Sequence, residues 1–82
     1  MAENIGLEEN IKEIIKGEIS EKSYRKYFNY GCHSANFDGD TLTWYCRDES
    51  IASEVRNFYK PFILAACTSL NLDVKNINIE VK

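Results

Sequence analysis

The chain has 82 residues, 44% hydrophobic and 28% charged, so it forms one small globular domain, and its composition excludes a disordered or fibrous protein. The formal net charge of −3 disfavours tight nucleic-acid binding, because phosphate contacts need a basic surface. No run of 18 apolar residues is present, and the start of the chain lacks the pattern of a signal peptide, so we expect a cytoplasmic protein without membrane contact.

The first predicted element is an amphipathic helix from Leu7 to Lys16, which Gly17 is placed to end. Its apolar residues recur at the spacing of one helical face, and they are Leu7, Ile11, Ile14 and Ile15. Two roles are open for Leu7 and Ile11, with Ile5 just upstream. They either pack in the core or form a self-association face.

A second helix is predicted directly afterwards, with Ser20 as its N-cap and Asn29-Tyr30-Gly31 at its end. The apolar side chains predicted to face the core are Tyr24, Tyr27 and Phe28. The basic side chains on the opposite face are Lys22, Arg25 and Lys26. This basic face is either simply solvated, or it binds an acidic partner protein or, weakly, a single-stranded nucleic acid.

A β-hairpin is predicted next, because Asp38-Gly39-Asp40 is a strong turn signal between two strand-like segments. The first strand runs from Cys32 to Phe37. In the second, residues 41–46, polar and apolar side chains alternate. The side chains predicted to share its buried face are Leu42, Trp44 and Cys46.

The longest helix is predicted to begin after Asp48, its cap, and to end at Asn71. Its apolar stripe keeps its phase across Pro61, so we expect one helix with a kink near residues 58–61 rather than two helices. Residues 75–82 then alternate as a half-buried strand, with Ile77, Ile79 and Val81 on one side.

The predicted order α-α-β-β-α-β indicates an α+β domain, a small KH-like fold with a three-stranded sheet packed on helices. Nucleic-acid-binding members of that fold use a G-x-x-G loop as a backbone clamp, and this loop is absent here. A small single-stranded nucleic-acid-binding domain therefore stays an alternative, while charge and the missing loop favour protein partners.

The three cysteines, Cys32, Cys46 and Cys67, are odd in number and widely spaced, which predicts free thiols in a reducing compartment. A metal site that also uses His33 lacks the paired C-x-x-C spacing of known zinc sites. No phosphate-binding glycine loop and no G-x-S-x-G motif is present. We therefore expect neither an enzyme nor a cofactor, and an enzyme would need a deep polar pocket.

Four segments in the right order resemble the N-terminal domain (domain I) of the bacterial chromosomal replication initiator DnaA, and the resemblance covers Leu7 to Val81. Glu18–Phe28 (EISEKSYRKYF) is similar to the family's E-L-S-x-x-x-F-x-x-W-[IF] segment, and Asp40–Cys46 to its T-L-x-[LI] strand. Val55–Tyr59 and Ile77–Val81 are similar to the later helix and the closing strand.

The resemblance implies the same order of elements and a role in protein–protein contact without catalysis. It implies self-association of initiator copies at the origin, recruitment of the replicative helicase, docking of regulators and weak contact with single-stranded DNA. It also implies that these 82 residues belong to a longer initiator, in which a separate ATPase module binds ATP.

By the same resemblance, the partner-binding surface lies on the second helix and the start of the third, at Lys22, Ser23, Lys26, Ser50 and Ile51. Ser23 stands where the family often has an acidic residue that contacts helicase, and Ser50 where it has an aromatic residue. The specific contacts of the family are therefore not expected to transfer unchanged.

A self-association surface is expected on the first helix at Leu7, Glu8 and Ile11. Some family members self-associate through an exposed tryptophan at the position where Glu8 stands here. We therefore expect a monomer or a weak dimer.

Overall fold

The helices and strands follow one another in the predicted order, and the part of the chain that the structure describes is an α+β domain with three helices and a three-stranded mixed sheet. The computed structural model describes residues 6–82, so Ile5 lies outside the described residues. The elements are α1 (Leu7–Lys16), α2 (Glu21–Tyr24, continued by the π-helical segment Arg25–Tyr30), β1 (Cys32–Asp38), β2 (Thr41–Cys46), α3 (Glu49–Glu54, the π-helical segment Val55–Tyr59 and Lys60–Ser69) and β3 (Asn76–Val81).

Side-chain caps begin the second and third helices where the sequence predicts them. Ser20 Oγ accepts a hydrogen bond from the backbone N–H of Ser23 at 3.2 Å. Asp48 Oδ1 accepts one from the backbone N–H of Ile51 at 2.9 Å. Each bond satisfies a backbone donor that the first turn of a helix leaves without a partner.

The predicted C-terminal ends are also confirmed. Gly17 follows the last residue of α1, and its N–H donates to the carbonyl of Ile14 at 3.2 Å. Asn71 adopts a left-handed conformation with φ of 62°, which turns the chain away from the axis of α3.

Pro61 does not divide α3, which is a single helix as predicted. The kink predicted near residues 58–61 takes the form of the π-helical segment Val55–Tyr59. The backbone of Tyr59 departs from helical geometry, with φ of −112° and ψ of −4°. A proline has no N–H to donate, and its ring crowds the carbonyl four residues earlier, so a wider turn before it relieves the contact. α2 widens over Arg25–Tyr30 without any proline, which the apolar spacing did not indicate.

The strands lie in the order β1-β2-β3. β1 and β2 form the predicted antiparallel hairpin, and its turn uses Gly39 with φ of 67°, a conformation that favours glycine. β2 and β3 are parallel, so α3 is the crossover that connects them. The β1–β2 register shifts between Cys32 and Ser34, which marks a bulge at one end of the hairpin.

One face of the sheet packs on the helices. The predicted inward set of β2, Leu42, Trp44 and Cys46, is fully buried, and Ile79 lies beside Trp44 on β3. Val81 is on the same side but stays 44% exposed, because it is the last residue of its strand. The opposite face carries polar side chains, among them Ser34, Asn36, Thr43, Asn78 and Glu80.

Aromatic rings join α2 and α3 in the core. The buried ring of Phe28 meets those of Trp44 and Tyr59 edge-on, with centroids 6.1 and 5.6 Å apart. Tyr24 and Tyr27 are half-buried rather than buried. Within the described residues, no helix combines the length and the apolar character needed to cross a bilayer.

Candidate functional site

The end of α2 and the start of α3 meet at Gly31. A Cβ at this position would lie 2.7 Å from Ile51 Cγ2 and 2.7 Å from the carbonyl oxygens of Lys26 and Tyr27. Only a residue without a side chain permits this approach. Gly31 therefore brings together the two segments that the sequence predicts as one surface.

A basic pocket occupies the exposed side of α2. Glu21, Lys22, Arg25, Lys26 and Tyr30 line an open pocket of about 410 Å³. Tyr30 is 61% exposed, the highest value among the large hydrophobic side chains of the described residues. We call the five residues that line this pocket, together with Arg47, the basic patch.

Arg47 joins the patch from the segment between β2 and α3. Its Nε donates to the carbonyl of Tyr30 at 2.5 Å, and its guanidinium lies 4.7 Å from the centre of the Tyr30 ring. Neither Tyr30 nor Arg47 is among the site residues predicted from the sequence. Tyr30 follows Lys22 and Lys26 at helical spacing and could have been found this way, whereas Arg47 has no local signal because its partner is far along the chain.

The cations of the basic patch are mostly free of carboxylates. Arg25 pairs with Glu21 at 2.6 Å, in a contact exposed on both sides that contributes little to stability. None of the ion pairs among residues 6–82 involves Lys22, Lys26 or Arg47. The patch therefore presents a local positive charge on a chain whose net charge is −3, and this charge can attract an acidic surface.

Three of the predicted partner-binding residues have other surroundings. Ser23 is half-buried, does not line the pocket, and uses its N–H in the cap of α2. Ser50 is exposed in the first turn of α3. Ile51 is only 6% exposed, since its side chain packs against Gly31. Ile51 is therefore not the surface contact that the sequence predicts, because it packs beneath the junction of α2 and α3.

The predicted self-association set on α1 is turned into the molecule. Leu7 is 5% exposed and Ile11 is fully buried. Of the two roles left open by the sequence, both residues therefore have the first, packing in the core. The Glu8 side chain is 21% exposed and pairs with Lys12 at 2.6 Å. Lys12 Nζ also donates to the carbonyl of Cys32 at 2.8 Å, which holds α1 against β1. Leu7, Glu8 and Ile11 therefore do not form an exposed surface.

The three cysteines are free thiols, as predicted, and the structure buries all three. Burial alone raises the pKa of Cys67 to about 11, so its thiol stays neutral at physiological pH and packs as a small hydrophobic residue. Within residues 6–82, no group of three or more His, Cys, Asp or Glu side chains is placed to hold a metal ion.

Comparisons of the chain with protein-family models, with curated proteins and with solved structures returned no match. The features that bear on function are therefore the basic patch, the order of elements and the sequence motifs.

Proposed function

We propose that the basic patch is a docking surface for acidic regions of partner proteins, and that the chain is the interaction domain of a bacterial replication initiator. The observation that carries the proposal is the gathering of Lys22, Lys26 and Arg47 around exposed Tyr30, without carboxylate partners. Exposed aromatic and arginine side chains are enriched where proteins bind one another. The α+β order of elements agrees with what the resemblance to DnaA domain I implies.

The partners proposed are the replicative helicase and initiation regulators, with other copies of the initiator bound weakly. The domain acts in the cytoplasm without catalysis and without a cofactor of its own, and ATP binds a separate module of the longer protein. Because Leu7 and Ile11 are buried, we expect a monomer or a weak dimer. Sedimentation at high protein concentration checks this, and a tight dimer would contradict it.

The direct test is the affinity of the chain for the replicative helicase of its own organism. Reversing two charges of the patch, with Lys22→Glu and Lys26→Glu together, is expected to weaken binding at least about tenfold. The matched control is Lys16→Glu with Lys75→Glu, because both lysines are exposed and lie outside the patch. Binding by the control should stay within about twofold of wild type. An equal loss in both variants, or none in either, would contradict docking at the patch.

A single-stranded nucleic acid is the second candidate, because exposed Tyr30 among cations also resembles a stacking platform for bases. Titration with a single-stranded oligonucleotide at two salt concentrations separates the two functions. Protein docking predicts weak oligonucleotide binding. Sub-micromolar affinity with a steep salt dependence would favour the nucleic-acid function instead.

A further inference from the structure

Two buried thiols face each other at the end of the hairpin that adjoins the basic patch. Cys32 and Cys46 are direct partners across the β1–β2 pair, and their Sγ atoms are 3.6 Å apart. The next backbone bond runs from the N–H of Arg47 to the carbonyl of Gly31 at 2.8 Å. The cysteines therefore occupy the type of antiparallel pair in which side chains approach most closely.

The position of the Cys32 sulfur is set by polar neighbours. The thiol donates to the carbonyl of Tyr27 at 3.0 Å, and Trp44 Nε1 donates to the sulfur at 2.6 Å. Cβ atoms of directly opposed residues in such a pair are close enough for a disulfide without a change of register. The two sulfurs thus need only a small approach to bond.

The two thiols differ in acidity. The close contact with the Cys32 sulfur lowers the pKa of Cys46, and the positive charge of Arg56 adds to this. The same contact and burial raise the pKa of Cys32. Cys46 is therefore the thiol that more readily supplies a thiolate, which is the form that attacks a disulfide.

We propose that Cys32 and Cys46 form a thiol–disulfide exchange site that reacts with small-molecule disulfides of the glutathione class and closes to a reversible intrachain disulfide. The Cys46 thiolate attacks one sulfur of glutathione disulfide and forms a mixed disulfide, releasing one glutathione thiolate. Cys32 then loses its proton and attacks the Cys46 sulfur, releasing the second glutathione. Two protein thiols are oxidised, one glutathione disulfide is reduced to two glutathione thiols, and their protons come from the two cysteines.

The two cysteines lie next to the residues that hold the basic patch in place. Cys32 directly follows Gly31, and Cys46 directly precedes Arg47, so the new bond would tie together the two chain segments that support the junction of α2 and α3. Both sulfurs are buried, so exchange requires the hairpin end to open first. Among proteins, the reaction involves this chain alone, whichever partner binds the basic patch.

The test equilibrates the folded chain with glutathione disulfide at neutral pH, quenches with acid, unfolds it and alkylates the remaining thiols. Peptide mapping by mass spectrometry is expected to find Cys67 alkylated and a Cys32–Cys46 disulfide, whereas the untreated chain has all three thiols free. Dithiothreitol should restore them. Three free thiols after oxidation, a disulfide that includes Cys67, or a glutathione adduct that does not resolve would each overturn the proposal.

Matched variants and a stability measurement complete the test. Cys67→Ser should oxidise as wild type does, while Cys32→Ser should stop at the mixed disulfide on Cys46, which would confirm the order of attack. The oxidised wild-type chain should melt at least about 5 °C higher than the reduced chain, because the bond restricts the unfolded hairpin. An unchanged or lower melting temperature would show that the disulfide does not fit the folded hairpin.

Discussion

The first two helices have similar amphipathic sequences but opposite roles in the structure. On α1, Lys12 binds both the Glu8 carboxylate and the carbonyl of Cys32, and its side chain is only 14% exposed. On α2, Lys22 and Lys26 line an open pocket and have no carboxylate partner among the described residues. A charged helical stripe therefore does not by itself indicate a binding surface. What distinguishes the two helices is whether the charges are already satisfied within the chain.

The same difference applies to their apolar residues. Leu7 and Ile11 face the interior, while exposed Tyr30 lies at the end of α2 under the guanidinium of Arg47. α1 thus contributes to the free energy of folding, and the outer side of α2 contributes little. Four predictions test this division, from the largest expected effect on stability to the smallest.

Truncating a side chain on the buried side of α1 should lower the free energy of unfolding the most. Ile11→Ala removes a fully buried side chain, so we expect the free energy of unfolding to fall by about 2–5 kcal/mol. Urea denaturation measures this change. The control is Leu64→Ala on α3, where the side chain is 39% exposed and the loss should be below about 1 kcal/mol. Similar losses in the two variants would mean that α1 is not a core helix.

Adding one methyl group at the helix junction should cost nearly as much. Gly31→Ala leaves the backbone angles acceptable, with φ of −76°, but places a Cβ against Ile51 and two carbonyl oxygens. We expect a loss of about 1–3 kcal/mol from this crowding, measured by thermal or urea unfolding.

Gly17→Ala is the matched control for that change. A Cβ there would meet only the carbonyl oxygen of Ile14, at an ordinary 3.7 Å. This variant should be neutral or slightly more stable, by up to about 1 kcal/mol. Equal destabilisation by the two alanines would contradict the close approach at Gly31.

Cys67 tests whether the core beneath α1 is dry, because it lies on the part of α3 that packs against α1. Burial raises its pKa from 9.0 to about 11 in the folded chain. As pH rises, the unfolded chain therefore loses the thiol proton before the folded chain does. The contribution of Cys67 to the free energy of unfolding is fully present below pH 9 and is lost between pH 9 and 11.

The measurement compares urea unfolding of wild type and Cys67→Ala under reducing conditions across this pH range. Wild type should lose up to about 2 kcal/mol more than the variant, since other titrating groups are common to both. Parallel pH profiles would indicate that water reaches the Cys67 thiol.

Local features of the fold were predictable because short-range chemistry sets them. The caps at Ser20 and Asp48, the turn at Gly39 and the left-handed stop at Asn71 each depend on a few adjacent residues. Alternation also placed Trp44 correctly in the core. The π-helical segments were not predictable, because each is only about one turn long and no residue pattern in so short a stretch distinguishes it from an α-helix.

The candidate site was only partly predictable, because exposure depends on tertiary packing. Lys22 and Lys26 are exposed as predicted, but helical periodicity could not show that Ile51 would be covered by Gly31. The contact of Arg47 with Tyr30 joins residues 17 positions apart, across a whole hairpin. No local pattern contains that information.

The smallest effect on stability is expected from the variant with the largest expected effect on binding. Lys22→Glu with Lys26→Glu replaces one pair of like charges, four residues apart at exposed positions, with another such pair. The free energy of unfolding should therefore change by less than about 0.5 kcal/mol. Lys12→Glu makes the same chemical change on α1, but there it opposes Glu8 and removes the bond to the Cys32 carbonyl. That single change should cost at least about 1 kcal/mol in the same urea experiment. Equal costs at the two sites would remove the distinction between a helix that uses its charges for folding and one that leaves them for a partner.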